Sequence, residues 1–146
     1  MFLFDVNSLI ALFDSAHLHH GAVHDWFERH SKEGWATCPI TETGLVRILA
    51  QRAYRGNGQT PSVALQKLEA TKRNGRNYHF LPDAVSLADS SLFHFARLAG
   101  SKQVTDAYLL GLAFRNKARL VSFDRNLPWQ AIRGADATLV VDPSAE

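Results

Sequence analysis

Three observations predict an α/β domain around a mainly parallel five-stranded sheet. Short apolar runs alternate with amphipathic stretches at helical spacing. Several of those runs are continuously apolar, as strands covered on both faces are. One stretch, residues 105–116, is apolar nearly all round, which makes it a central helix. A chain of 146 residues with 46% hydrophobic and 21% charged residues suits one globular domain over residues 1–146 and excludes disorder, collagen and coiled coil as descriptions of the whole.

The elements follow in order. Phe2-Leu3-Phe4 is a buried first strand that ends at Asp5. Ser8 is a capping residue for a helix carrying Leu9, Ile10, Leu12 and Phe13. A polar corner, His17 to Gly21, leads to a second helix whose face is Val23, Trp26 and Phe27. Gly34 ends it, and Trp35-Ala36-Thr37-Cys38 is the second strand. After Pro39 and Ile40, Thr41 caps a helix with Leu45, Val46, Ile48 and Leu49 on its buried side. Arg55-Gly56-Asn57-Gly58 is a loop. Thr60 and Pro61 open the next helix, Asn74-Gly75 closes it, and Tyr78 to Leu81 is the third strand, stopped by Pro82. A helix over Ser91–Ala99 is closed by Gly100. Thr105 caps the central helix, Arg119 to Phe123 is the fourth strand, and Ala137 to Val141 is the fifth.

Composition also narrows the function. No apolar run approaches the ~20 residues that span a bilayer. The start, Met-Phe-Leu-Phe-Asp, does not read as a signal peptide, and Cys38 is the sole cysteine, so a cytoplasmic protein without disulfides is expected. No Gly-x-Gly-x-x-Gly or Walker-type loop and no Gly-x-Ser-x-Gly elbow occurs, which removes the usual signatures of nucleotide binding and serine hydrolysis.

What remains is where the acids fall. Open parallel sheets bind ligands at the carboxyl ends of their strands. Asp5 ends the first strand, Glu42 follows the second, Asp124 ends the fourth, and Asp106 opens the apolar helix. An acid in the first turn of a helix is favoured by the helix dipole at roughly 0.3–1 kcal/mol, which accounts for Glu42 or Asp106 taken alone. Asp5 interrupts an apolar stretch, where a lone carboxylate is costly unless paired or bound to metal. Carboxylates gathered at one edge repel one another unless a cation neutralises them. Oxygen ligands suit a hard cation, Mg²⁺ or Mn²⁺, and such a site performs metal-assisted hydrolysis of a phosphodiester.

At these residues the chain resembles the PIN-domain ribonucleases, and among them the VapC-type toxins of type II toxin–antitoxin pairs. The resembling segments are Phe4-Asp5-Val6-Asn7-Ser8-Leu9-Ile10, Cys38-Pro39-Ile40-Thr41-Glu42-Thr43-Gly44, Val104-Thr105-Asp106-Ala107-Tyr108 and Val121-Ser122-Phe123-Asp124. The resemblance implies a three-layer α/β/α fold and a Mg²⁺- or Mn²⁺-dependent endoribonuclease that cuts RNA, tRNA or rRNA included, with a metal-activated water. It implies Asp5, Glu42, Asp106 and Asp124 as catalytic metal ligands, Asn7 as a residue orienting the first acid or a water, and Thr105 in similar support. It also implies a homodimer neutralised by a cognate VapB-type antitoxin.

Two further clusters stand beside the acids. His17, His19, His20 and His24 read as a solvated corner, or as one that touches RNA near the cleft; no Cys or acid completes a tetrahedral zinc set there. Between Arg47 and Arg76 lie seven basic residues against Glu69 alone. Of these, Arg52, Arg55, Arg73 and Arg76 are candidates for RNA phosphates, the alternative being an ordinary solvated face. Other functions compatible with the pattern are an RNA-processing nuclease without an antitoxin and a non-catalytic RNA- or protein-binding module on the same fold. A haloacid-dehalogenase-like phosphatase would need a second Asp where Asn7 stands.

Overall fold

The computed structural model describes residues 1–54 and 58–145. Its sheet contains β1 (Phe2–Phe4), β2 (Trp35–Thr37), β3 (Tyr78–Phe80), β4 (Arg119–Val121) and β5 (Val140–Val141), in the order β3-β2-β1-β4-β5. Each neighbouring pair runs parallel. The helices are α1 (Val6–Phe13), α2 (His20–His30), α3 (Pro39–Leu49), α4 (Pro61–Asn74) and α5 (Val104–Arg115).

The three layers follow from the pleat of the strands. Successive side chains leave a strand on opposite faces, and the two cores divide accordingly. Phe2, Phe4, Trp35 and Val121 pack with residues of α1 to α4 on one face. Leu3, Ala36 and Leu120 pack with α5 and the segments around Phe93 and Ile132 on the other. Phe4, Leu3 and Leu120 are fully buried, each such side chain contributing about 1.5–3 kcal/mol. The central strand β1 therefore needs apolar residues on both faces, which is why Phe2-Leu3-Phe4 reads as an unbroken run, whereas the edge strand β3 is half-buried to exposed.

Strand order reverses at β1, with β2 on one side and β4 on the other. In a parallel sheet the crevice at that reversal is where ligands bind. Asp5 follows β1 and donates its backbone N–H to the Val121 carbonyl of β4 at 3.1 Å.

Several expected boundaries shift, for identifiable reasons. Asp5, not Ser8, caps α1, its Oδ1 accepting from the Ser8 N–H at 2.6 Å. Ser8 is buried and its hydroxyl donates to the Val121 carbonyl at 2.9 Å, tying α1 to β4. Cys38, not Thr41, occupies the cap of α3, with Pro39 in the first turn; Thr41 is the third helical residue, and its hydroxyl accepts from the Cys38 N–H at 3.0 Å. Gln103, not Thr105, precedes α5. The strands over 119–123 and 137–141 are shorter than expected, a 3-10 turn covering Ala137–Leu139.

No α-helix spans Ser91–Ala99; only a 3-10 turn, Phe95–Arg97, forms there. Tertiary bonds compete for this backbone. Phe93 bridges Ile132, the His94 N–H donates to Ala131, and Leu92 accepts from the Arg133 N–H. The Phe93 ring lies against Gly111 of α5, where a Cβ would stand 2.4 Å from it. Thr60 caps α4 as expected, through the Val63 N–H. The loop at 55–57 lies outside the described residues, and Arg55 with it. Among the described residues no helix is long and apolar enough to cross a membrane.

Candidate active site

Three aspartates meet at the reversal point. Asp5 is placed by the end of β1, Asp106 by the first turn of α5, and Asp124 by the chain leaving β4. Burial raises the pKa of Asp5; hydrogen bonds from Ser122 and Ser8 oppose the rise, and the charge of Asp124 adds to it. Burial raises Asp106 as well, with the charges of Asp124 and Asp5 reinforcing it. The three carboxylates are thus close enough to repel one another. Asp124 is exposed, and one of its oxygens accepts from the Asn126 N–H at 2.7 Å. Among the described residues no Lys, Arg or His forms an ion pair with any of the three.

Glu42 stands apart from this group. Its Oε1 accepts from Lys72 Nζ at 2.5 Å, from the Thr37 hydroxyl at 2.5 Å and from the Tyr78 hydroxyl at 3.1 Å. The Lys72 and Glu42 side chains are only 17% and 20% exposed. Burial alone would lower the pKa of Lys72, but the hydrogen bond and charge of Glu42 more than reverse that and raise it. The Lys72 ammonium also lies 5.3 Å from the centre of the Tyr78 ring. Glu42 is therefore neutralised, and it ties α3 to α4, β2 and β3. The acid charges that raise Asp106 are those of Asp124 and Asp5, while Glu42 sits in its own paired network.

The supporting residues also differ from expectation. Asn7 is exposed and makes no hydrogen bond to Asp5; Ser8 and Ser122 hold that carboxylate instead. Thr105 is exposed and borders a groove of about 480 Å³ with Val6, Gly44, Arg47 and Asp83. Ser8, Ser122, Arg47 and Tyr78 are not site candidates on the sequence alone, where Ser8 reads only as a helix cap and Arg47 only as the start of a basic segment. The hydroxyl of Ser8 inside an apolar stretch was a usable signal, whereas Tyr78 and Lys72 reach Glu42 only through the pairing of distant elements.

The histidine corner lies beside the site without joining it. The His19 ring stacks on Phe123, which precedes Asp124, at 4.4 Å, and His20 Nδ1 bonds the Ala11 carbonyl at 2.8 Å. Arg73 and Arg76 stand where α4 leads into the start of β3, at the amino edge of the sheet and away from the acids. Arg73 pairs with Glu69 at 3.8 Å, and Arg76 borders a groove with Glu28, Ser31 and Lys32. Arg52 lies exposed just beyond the C-terminal end of α3, the end opposite Glu42.

The donor set can be tested against a metal. Among the described residues no three His, Cys, Asp or Glu side chains form a ready-made cage. Structural zinc needs four ligands, so the histidines do not fit it. Mg²⁺ keeps most of its waters and takes one or two carboxylates. Asp5 and Asp106 offer that: oxygen donors whose charged forms are strained without a cation.

Comparison with known proteins agrees with the fold. The PIN domain family matches residues 2–132. Ribonuclease VapC39 of Mycobacterium tuberculosis is 41% identical over 132 residues, covering 90% of this chain and 94% of that protein. Ribonuclease VapC38 of the same organism is 41% identical over 124 residues, 85% of each chain. Ribonuclease VapC44 is 37% identical over 135 residues, 91% of this chain and 92% of its own. With a parallel sheet in three layers, aspartates at its reversal point and a family match along nearly all its length, this chain belongs to the PIN-domain family.

Proposed function

We propose that the chain is a metal-dependent endoribonuclease acting as the toxin of a type II toxin–antitoxin pair. The observation that carries the reading is the aspartate group at the sheet's reversal point, which has no cationic partner among the described residues. The similarity to mycobacterial VapC ribonucleases supplies the substrate class, RNA. Mg²⁺ or Mn²⁺ is the cofactor that this donor set suits.

Asp5 and Asp106 would hold the cation, and Asp124 would complete the negative edge. When bound, the cation supplies water activation and offsets charge on the phosphate and the leaving oxygen. The chain's own groups prepare for this. The Ser8 N–H fixes Asp5 Oδ1, so the carboxylate cannot swing away. Burial of Asp106 and the charges of Asp124 and Asp5 disfavour its charged form, a cost that a cation held there would offset. Glu42 contributes by holding α3 in place rather than as a ligand.

The protein is cytoplasmic, a single nuclease domain, a homodimer, and is neutralised by a VapB-type antitoxin. Its one cysteine, Cys38, is buried and free, which accords with a reducing compartment.

Antitoxin-free protein incubated with RNA in EDTA, Mg²⁺ or Mn²⁺ tests the reading. Cleavage only with metal, leaving 5′-phosphate ends, supports it. Products with 2′,3′-cyclic phosphates contradict it, because those arise from the RNA's own 2′-hydroxyl.

A further inference from the structure

We propose that His20 and His24 form a binding site for a borderline divalent transition-metal ion, Zn²⁺, Ni²⁺ or Cu²⁺, on the first two turns of α2. Neither ligand belongs to the aspartate group, and the inference does not depend on the ribonuclease reading above.

The four histidines of the corner divide by what their rings already do. His17 Nδ1 accepts the His19 backbone N–H at 3.2 Å, so in the neutral ring its proton sits on Nε2 and no lone pair is left over. The His19 ring lies flat on Phe123, with centroids 4.4 Å apart and planes 21° from parallel. His20 and His24 are placed differently. Residues four apart share one face of a helix, and these two rings have their centroids 5.6 Å apart. Two imidazoles that hold one ion, each through a nitrogen at about 2.1 Å, have ring centres about 5–6 Å apart. The pair is therefore spaced for a shared ion.

The His20 ring is also oriented for one. Its Nδ1 lies 2.8 Å from the Ala11 carbonyl oxygen. A carbonyl only accepts, so Nδ1 carries the proton and Nε2 keeps the lone pair that a metal takes. Metal-bound histidines are commonly fixed in this way, by a bond from the second nitrogen to a backbone carbonyl. The His24 side chain is 50% exposed, and Asp25 Oδ1 stands 4.0 Å from its Nδ1, a negative charge that favours a cation beside it. Imidazole suits zinc, nickel and copper, whereas magnesium and manganese suit oxygen donors. Two imidazoles fall short of the four ligands of structural zinc, so water fills the remaining positions and the ion exchanges. Its effect is local. α2 begins at His20, and His19 before it makes no side-chain capping bond. An ion that links His20 to His24 holds that uncapped first turn closed and, through Ala11, its junction with α1.

Calorimetric titration of Ni²⁺ into the untagged full chain, with Mg²⁺ in excess to occupy the aspartate edge, tests the proposal. Wild type, His17→Ala and Asp106→Asn take up Ni²⁺ with affinities within about twofold of one another, and His24→Ala binds it about tenfold or more weakly. His24→Ala is the decisive variant, because an exposed helix position accepts alanine without loss of the fold. A thermal melt gives a second readout: Ni²⁺ raises the melting temperature of wild type and leaves that of His24→Ala unchanged. No uptake by wild type overturns the proposal, as does uptake unchanged in His24→Ala. Loss in Asp106→Asn alone overturns it by placing the ion at the aspartates. A loss in His17→Ala as deep as that in His24→Ala overturns the two-ligand assignment.

Discussion

Two sets of carboxylates at one edge of the sheet have opposite surroundings. Glu42 is held by a lysine, a threonine and a tyrosine. Asp5, Asp106 and Asp124 face one another without a cation among the described residues. A paired, partly buried carboxylate contributes to folding and costs stability when its partner is lost. Mutually repelling carboxylates burden the fold, and a protein that keeps them uses them for something else. The contrast separates a structural acid from functional ones where residue type alone cannot.

The largest effect that would break this contrast lies in activity. Asp106→Asn lowers metal-dependent RNA cleavage roughly thousandfold, a loss of the several kcal/mol that metal-assisted charge stabilisation supplies. The same variant raises the melting temperature of the metal-free protein, because it removes a repelled charge. A gel-based cleavage assay and a thermal melt in EDTA check the two halves. A variant that loses activity and also melts lower would make Asp106 a structural acid like Glu42.

Next in size is the stability of the paired site. Lys72→Ala leaves Glu42 with hydroxyl partners but no cation, and costs about 1–3 kcal/mol in urea unfolding. Glu42→Gln keeps an acceptor for Thr37 and costs less, about 0.5–1.5 kcal/mol, while RNA cleavage stays within about tenfold of wild type. Loss of cleavage as deep as that of Asp106→Asn would place Glu42 in the reacting group.

The smallest effect is in pH dependence, and its sign differs between regions. Asp5 and Asp106 bind protons more tightly when folded than when unfolded. Their burden on stability is absent below the ordinary value of 3.8 and grows as pH rises through the raised folded values. Asp142 runs the other way: its burial opposes but does not outweigh bonds from Ser144 and Arg125, and its pKa is lowered. Its contribution is present above 3.8 and is lost as pH falls through the lowered value. In EDTA, the melting-temperature advantage of Asp106→Asn over wild type therefore shrinks as pH falls from neutrality toward that range. An advantage that is constant with pH would mean that the carboxylate's charge is not what burdens the fold.

The sequence already carried much of this architecture. Continuous apolar runs mark strands covered on both faces, and Asp5 at the end of the first run marks the edge where chemistry collects. The parts it did not carry depend on distant pairing. The helical spacing over 91–99 is real, yet Phe93 and His94 spend their backbone bonds on Ile132 and Ala131. Ser8, Thr41 and Thr105 have the chemistry of caps, but Asp5 and Cys38 take the first two cap positions and Gln103 the third. Glu42 and Asp106 look alike on paper, each near the start of a helix. Only the packing of α4 and β3, which delivers Lys72 and Tyr78, tells them apart. The basic stretch from Arg47 to Arg76 likewise divides in space, Arg47 bordering a groove with Thr105 and Asp83 and Arg73 and Arg76 standing at the far edge.

Calorimetric titration of Mn²⁺ into metal-free wild type, Asp106→Asn and Glu42→Gln tests the central claim most directly. The account predicts binding to wild type and Glu42→Gln and its loss in Asp106→Asn. Binding retained in Asp106→Asn, or lost in Glu42→Gln, would contradict it.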